Sequence, residues 1–174
     1  MTTTRPFYRL PISIVPAAAV GSLVMGVTLF AIALFLVRLS VIESLVGAVI
    51  GVAMHWILEI VHNIGHAYAA QSTGYPMTGI RLGFLGIFAM SLYPKDEPTL
   101  PARTHIRRAL GGPILSGVVA VIFLVLAILM GDSNSLIAWL VRWGVFESVF
   151  VFSLGAFLPL GFNDGSTILY WLRH

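Results

Sequence analysis

The stretch His55-Trp56-Ile57-Leu58-Glu59-Ile60-Val61-His62-Asn63-Ile64-Gly65-His66 decides how this chain is read. Upstream of it, Leu45 to Met54 is small and apolar without interruption. A helix turns by about 100° per residue. With His62 at zero, His55 falls near about 20°, His66 near about 40° and Glu59 near about 60°. Four ionisable groups therefore share one narrow stripe, while Ile57, Leu58, Ile60, Val61, Ile64 and Ala67 make the rest of the surface apolar. Ionisable groups inside such a segment are costly and mark functional sites.

The whole chain agrees with a membrane setting. It has 174 residues, of which 58% are hydrophobic and 10% charged, with a net charge of +3. A soluble domain of this size would carry charge on roughly a quarter of its residues. Soluble enzymes, disordered chains and nucleic-acid-binding domains are excluded. Cysteine is absent, so no disulfide, thiolate nucleophile or cysteine metal site is available. The expected fold class is an all-α polytopic membrane protein, a single domain over 1–174 with about four spans.

About 20 apolar residues cross the hydrocarbon. The spans are predicted at 12–37, 42–70, 109–130 and 136–158. The first is too long for the apolar core of a cleavable signal. Gly111-Gly112-Pro113 reads as the opening turn of the third. Residues 76–108 leave the pattern. Met77 to Phe88 mixes apolar residues with Gly79, Gly83 and Gly86, which predicts a short membrane-associated β-hairpin, and the Pro-rich, charged stretch from Tyr93 to Arg108 is a loop. A short amphipathic helix is predicted at 165–172.

Lys and Arg set orientation through short loops. With a cytoplasmic N-terminus, the inside collects Arg5, Arg9, Arg81, Lys95, Arg103, Arg107, Arg108 and Arg173, and the outside keeps Arg38. Both termini are expected in the cytoplasm, with the chain in a bacterial or archaeal inner membrane. The Arg103–Arg108 cluster is read first as this topology signal, with contact to anionic lipid as a further role.

His62 and His66, at i and i+4, are neighbours on one helix face and suit two positions of a tetrahedral zinc site. Asp164, at the break after the fourth span, is the available third ligand. Capping of the short C-terminal helix is a compatible role for it.

These residues resemble the site-2 protease family of intramembrane zinc metalloproteases. That family has a His-Glu-x-x-His helix, a Gly-Pro-x-x-Asn turn and a Leu-Pro-x-x-x-x-Asp-Gly element. This chain has His62-Asn63-Ile64-Gly65-His66, then Gly112-Pro113-Ile114-Leu115-Ser116, then Leu158-Pro159-Leu160-Gly161-Phe162-Asn163-Asp164-Gly165, in that order. The similarity covers about Ala48 to the C-terminus. It implies zinc on His62, His66 and Asp164, with His55, Glu59, Ser116, Gly112, Pro113 and Asn163 behind the ligands or against substrate.

The departures fall on the groups that act on substrate. The catalytic glutamate is replaced by Asn63, whose amide cannot take and return a proton; losing a general base costs about 10²–10⁴-fold in rate. Ser116 and Ala156 stand where the family has asparagines. The expected function is therefore a site-2-protease-like protein, proteolytically impaired, that binds or scaffolds a membrane protein or transmembrane helix around a retained metal site. The alternatives are an active zinc endopeptidase using Glu59 as a substitute base, and a subunit of a cofactor-bearing membrane complex using His55 and His62. Glu59 is expected first to hold the imidazole N–H of His62 or His55. Arg142 and Glu147 form a buried pair or contact a partner. Trp139, Trp143 and Trp171 read as interface anchors. The bilayer is a partner, nucleic acid is not, and the sequence leaves the oligomeric state open.

Overall fold

The structure, a computed structural model, describes residues 10–174. The basic head with Arg5 and Arg9 lies outside them. The described chain is mostly helical, and four of its helices are long and apolar enough to cross a membrane.

β1 (Ile12–Ile14) comes first, and α1 (Ala17–Ala31) follows after Pro16, running on as a π-helical turn over Ile32–Leu36. The sequence placed Ile12 at the start of a span. Instead Ile12–Ile14 pairs in parallel with β2, and Pro16, which lacks an amide donor, opens the helix. α2 (Val41–Ser72) begins at a capping box, with the Glu43 amide donating to Ser40 Oγ and the Ser40 amide to the Glu43 carboxylate. It carries the whole His55–His66 stripe.

β2 (Gly79–Phe84) and β3 (Phe88–Leu92) form the expected hairpin. Gly83 and Gly86 take the left-handed conformation at its tip, with Leu85 between them also at positive φ. Gly86 packs its backbone directly on Gly21 of α1, leaving no room for a side chain on Gly21. The sheet order β1-β2-β3 makes this a three-stranded unit rather than an isolated hairpin. A two-stranded ribbon is marginal alone, and both β1 and the underlying helices support it.

α3 (Ala102–Met130) starts seven residues before the predicted span, so Pro113 lies inside the helix and does not open it. The loop is correspondingly shorter, ending at Pro101. The fourth span is not one regular helix: α4 (Leu136–Phe146) passes into a π-helical turn over Glu147–Val151 and a 3₁₀ turn over Gly155–Phe157. α5 (Asp164–Arg173) closes the chain.

The outside of the bundle is greasy. Val20, Leu23, Val24 and Val27 of α1 and Ile114, Val118, Val121 and Ile128 of α3 are all exposed. Small residues mediate the contacts within. α2 crosses α3 at Gly65 and Gly111, where a Cβ on either would strike the backbone of the other. Gly47 seats the Trp139 ring, and Gly144 seats Phe123. Small residues let the helix backbones approach closely, which gains dispersion. Trp139 is buried with Leu29, Ala33 and Ala48, and Trp143 donates to the Gly51 carbonyl. Trp139 is an interior packing residue, and Trp143 is half-buried against the same cluster. Trp171 stacks on His105 at 4.1 Å.

Candidate metal centre

The α2–α3 crossing determines where the histidines point. Gly65 faces Gly111, and one residue on, Gly112 faces the imidazoles. A methyl group on Gly112 would overlap Nε2 of both His62 and His66. The Gly-Pro pair therefore has a local explanation. Glycine opens the space, and Pro113 contributes no amide to the helix at this point. The Arg108 carbonyl, one turn earlier, accepts from His66 Nδ1 at 2.8 Å.

The Gly112 amide also approaches His66 Nδ1, at 3.2 Å, but the carbonyl can only accept and is closer, so Nδ1 holds the proton and Nε2 presents a lone pair. His62 Nδ1 lies 3.0 Å from the Ser116 hydroxyl of α3, which can donate or accept and so orients the ring without choosing its tautomer. The two Nε2 atoms then face each other at 3.0 Å. Asp164 Oδ2 lies 3.2 Å from His62 Nε2, and Oδ1 lies 3.3 Å from His66 Nε2. Two lone pairs and a carboxylate converging on one point repel unless a proton or a cation sits among them. Tetrahedral ligands at about 2.0–2.1 Å from zinc are about 3.3 Å apart. The three donors have close to this spacing, so this group can hold a metal ion.

Asp164 reaches the histidines because another residue caps the helix. Asn163 Oδ1 accepts from the Leu160 and Ser166 amides, and its Nδ2 donates to the carbonyls of Ala156 and Leu158. Asn163 is thus committed to shaping the break, and the capping role considered for Asp164 belongs to it. Burial raises the Asp164 carboxyl, but in the metal-free protein a proton taken up on the Nε2 side of His62 and His66 is donated to it, and these bonds hold it at about 2. It stays ionised, as a metal ligand must.

Asn63 is locked in place. Asn63 Nδ2 donates to the Glu59 carbonyl at 3.0 Å, and its Oδ1 accepts from the Ser91 hydroxyl of β3 at 2.9 Å. Glu59 does not hold His62 or His55, contrary to expectation. Its carboxylate takes the Ala89 amide of β3, and its side chain faces the same cavity as the metal donors. That cavity, about 670 Å³, lies between α2, the hairpin and the segment before α5. Phe84 and Phe88 meet the Phe162 ring at 5.6 Å each across its mouth.

His55 lies in a different network. Its Nδ1 pairs with Glu147 at 2.7 Å and its Nε2 donates to the Ile87 carbonyl at 2.7 Å. Both nitrogens are taken, which leaves none for haem or metal. Glu147 therefore pairs with His55 rather than with Arg142, which donates to the carbonyls of Gly131 and Ser133 at the end of α3. Sequence reasoning missed Arg108 as a site residue. It is buried and bonds Glu97 twice. The signal available was an arginine one turn before Gly112, read only as a topology charge.

No family model, curated protein or solved structure matches this chain.

Proposed function

We propose that this chain is an integral membrane protein of site-2-protease-like architecture that keeps a metal centre, lacks effective proteolysis, and binds a transmembrane segment of a partner at that centre. One observation carries the reading. The donors of His62, His66 and Asp164 converge, while Asn63, in the place of the general base, spends its amide on Glu59 and Ser91. Zinc is the proposed ion, because two imidazoles and a carboxylate with no sulfur donor suit it. When bound, it would supply a Lewis acid to a carbonyl in the cavity.

The chain's own residues do the rest. His62, His66 and Asp164 hold the ion, the Arg108 carbonyl sets the His66 tautomer, Ser116 orients the His62 ring, and Asn63 offers no base. The greasy exterior of four helices supports embedding in a bilayer. Arg81, Lys95, Arg103, Arg107 and Arg173 lie on segments at the sheet end of the bundle, and Arg38, on its turn, and Arg142, bonded to the Gly131 and Ser133 carbonyls, lie at the opposite end. This supports a cytoplasmic sheet end.

Purified protein should contain about one equivalent of zinc and should not cleave a helical membrane substrate. Asn63→Glu should raise cleavage by about 10²-fold or more. Cleavage by the wild type that His62→Ala abolishes would overturn the impaired reading. A second reading keeps Glu59 as a substitute base, favoured by its place on the cavity wall; Glu59→Gln should then abolish that cleavage while Asn63→Ala should not.

A further inference from the structure

Arg108 joins three parts of the molecule. Its carbonyl accepts from His66 Nδ1 at 2.8 Å. Its guanidinium, in a residue only 4% exposed, donates to both Glu97 oxygens at 2.9 and 2.5 Å and to the Tyr75 carbonyl at 2.6 Å. It also lies 4.3 Å from the centre of the Tyr93 ring. Tyr75 follows α2, and Tyr93 and Glu97 belong to the strap of residues 93–101 between β3 and α3. Tyr93 and Glu97 also line the metal cavity.

This is more than a topology charge requires. A bidentate pair fixes geometry as well as adding strength, and the arginine holds Glu97 below the usual carboxylate range. Burial pushes the Tyr93 phenol up to about 12, so it stays neutral above the guanidinium. The strap is therefore fastened to the residue that sets the His66 tautomer. Partners behind a metal ligand typically tune affinity about 10–100-fold.

We infer that Arg108 is a positioning residue coupling the 93–101 strap to the metal donors, so that metal binding and strap order strengthen each other. The inference rests on reading His62, His66 and Asp164 as a metal centre. Coupling of this kind is reciprocal: whatever tightens the strap tightens the metal, and the converse.

The full chain in detergent micelles provides the test, with Zn²⁺ affinity measured by chelator competition and strap order by trypsin cleavage after Lys95. Zn²⁺ should slow that cleavage in the wild type. Arg108→Ala keeps the carbonyl on His66 but releases the strap, so it should weaken Zn²⁺ binding by about 10-fold, the lower end of the range for groups behind a ligand, and remove the protection, with Arg108→Lys restoring part of both. Should Arg108→Ala fail to fold, Glu97→Gln decides, with the same directions and a smaller loss. Wild-type affinity together with intact protection in the folded variant overturns the coupling and leaves the metal reading standing. Failure of the wild type to bind Zn²⁺ overturns the metal reading and the coupling with it.

Discussion

At Gly112 a single methyl group would occupy the space into which both histidines point. Gly112→Ala is expected to lower metal affinity by at least about 10²-fold, beyond the usual effect of a residue behind the ligands, while the helix, for which alanine is the better former, persists. Calorimetric metal titration alongside circular dichroism checks both halves. Asp164 makes a second, pH-dependent prediction for the metal-free protein. Its carboxyl drops from 3.8 to about 2 on folding, so its contribution is complete above 3.8 and is lost as pH falls towards 2. The stability gap between wild type and Asp164→Asn should shrink over that window, and a gap independent of pH would show that the carboxylate is not held by the histidines. Asn63 shows how far a single letter can be read. An amide cannot act as a base, and that was legible without a fold, whereas its partners Glu59 and Ser91 were not.

Among the elements, the irregular fourth helix carries the most information. A π-turn widens the backbone and often lies at functional positions, and here it begins at Glu147, the residue that reaches His55. The pair ties α2 to α4, and through the Ile87 carbonyl to the hairpin tip. Both partners are almost fully buried, at 2% and 3% exposure. Removing one strands the other, at a cost of about 3–5 kcal/mol. His55→Leu should therefore destabilise strongly, and the double variant His55→Leu, Glu147→Leu should recover much of the loss; strict additivity in unfolding measurements would show the pair is not coupled. The hairpin was legible from its glycines, but its third strand was not. Ile12–Ile14 is as apolar as the helix that follows, and only pairing with β2 separates the two.

For the whole molecule, four apolar helices place their termini so that α1 and α3 start, and α2 and α4 end, near the sheet. Most of the basic residues follow that end, with Arg38 and Arg142 at the other. The chain has no cysteine, so single cysteines report topology without background. Cysteines at Arg38 and at His174 should be labelled by an impermeant thiol reagent from opposite faces of a sealed vesicle. Labelling of both from one face would refute the four-span arrangement.

Composition and periodicity determined much of this protein. Scarce charge and four long apolar runs specify the four long helices, because length and hydropathy are properties of each local stretch of chain. The i, i+4 spacing puts His62 and His66 side by side, because helix geometry is local. The tertiary structure decided the rest. Asp164 lies about a hundred positions from His62, and only the α2–α3 crossing at Gly65 and Gly111, with Asn163 shaping the break, brings its carboxylate to 3.2 Å. The partners of His55, Glu59, Glu147 and Arg108 are likewise contacts between elements. A buried polar group must find a partner, but the sequence does not say which element will carry it, since that depends on how closely the backbones approach.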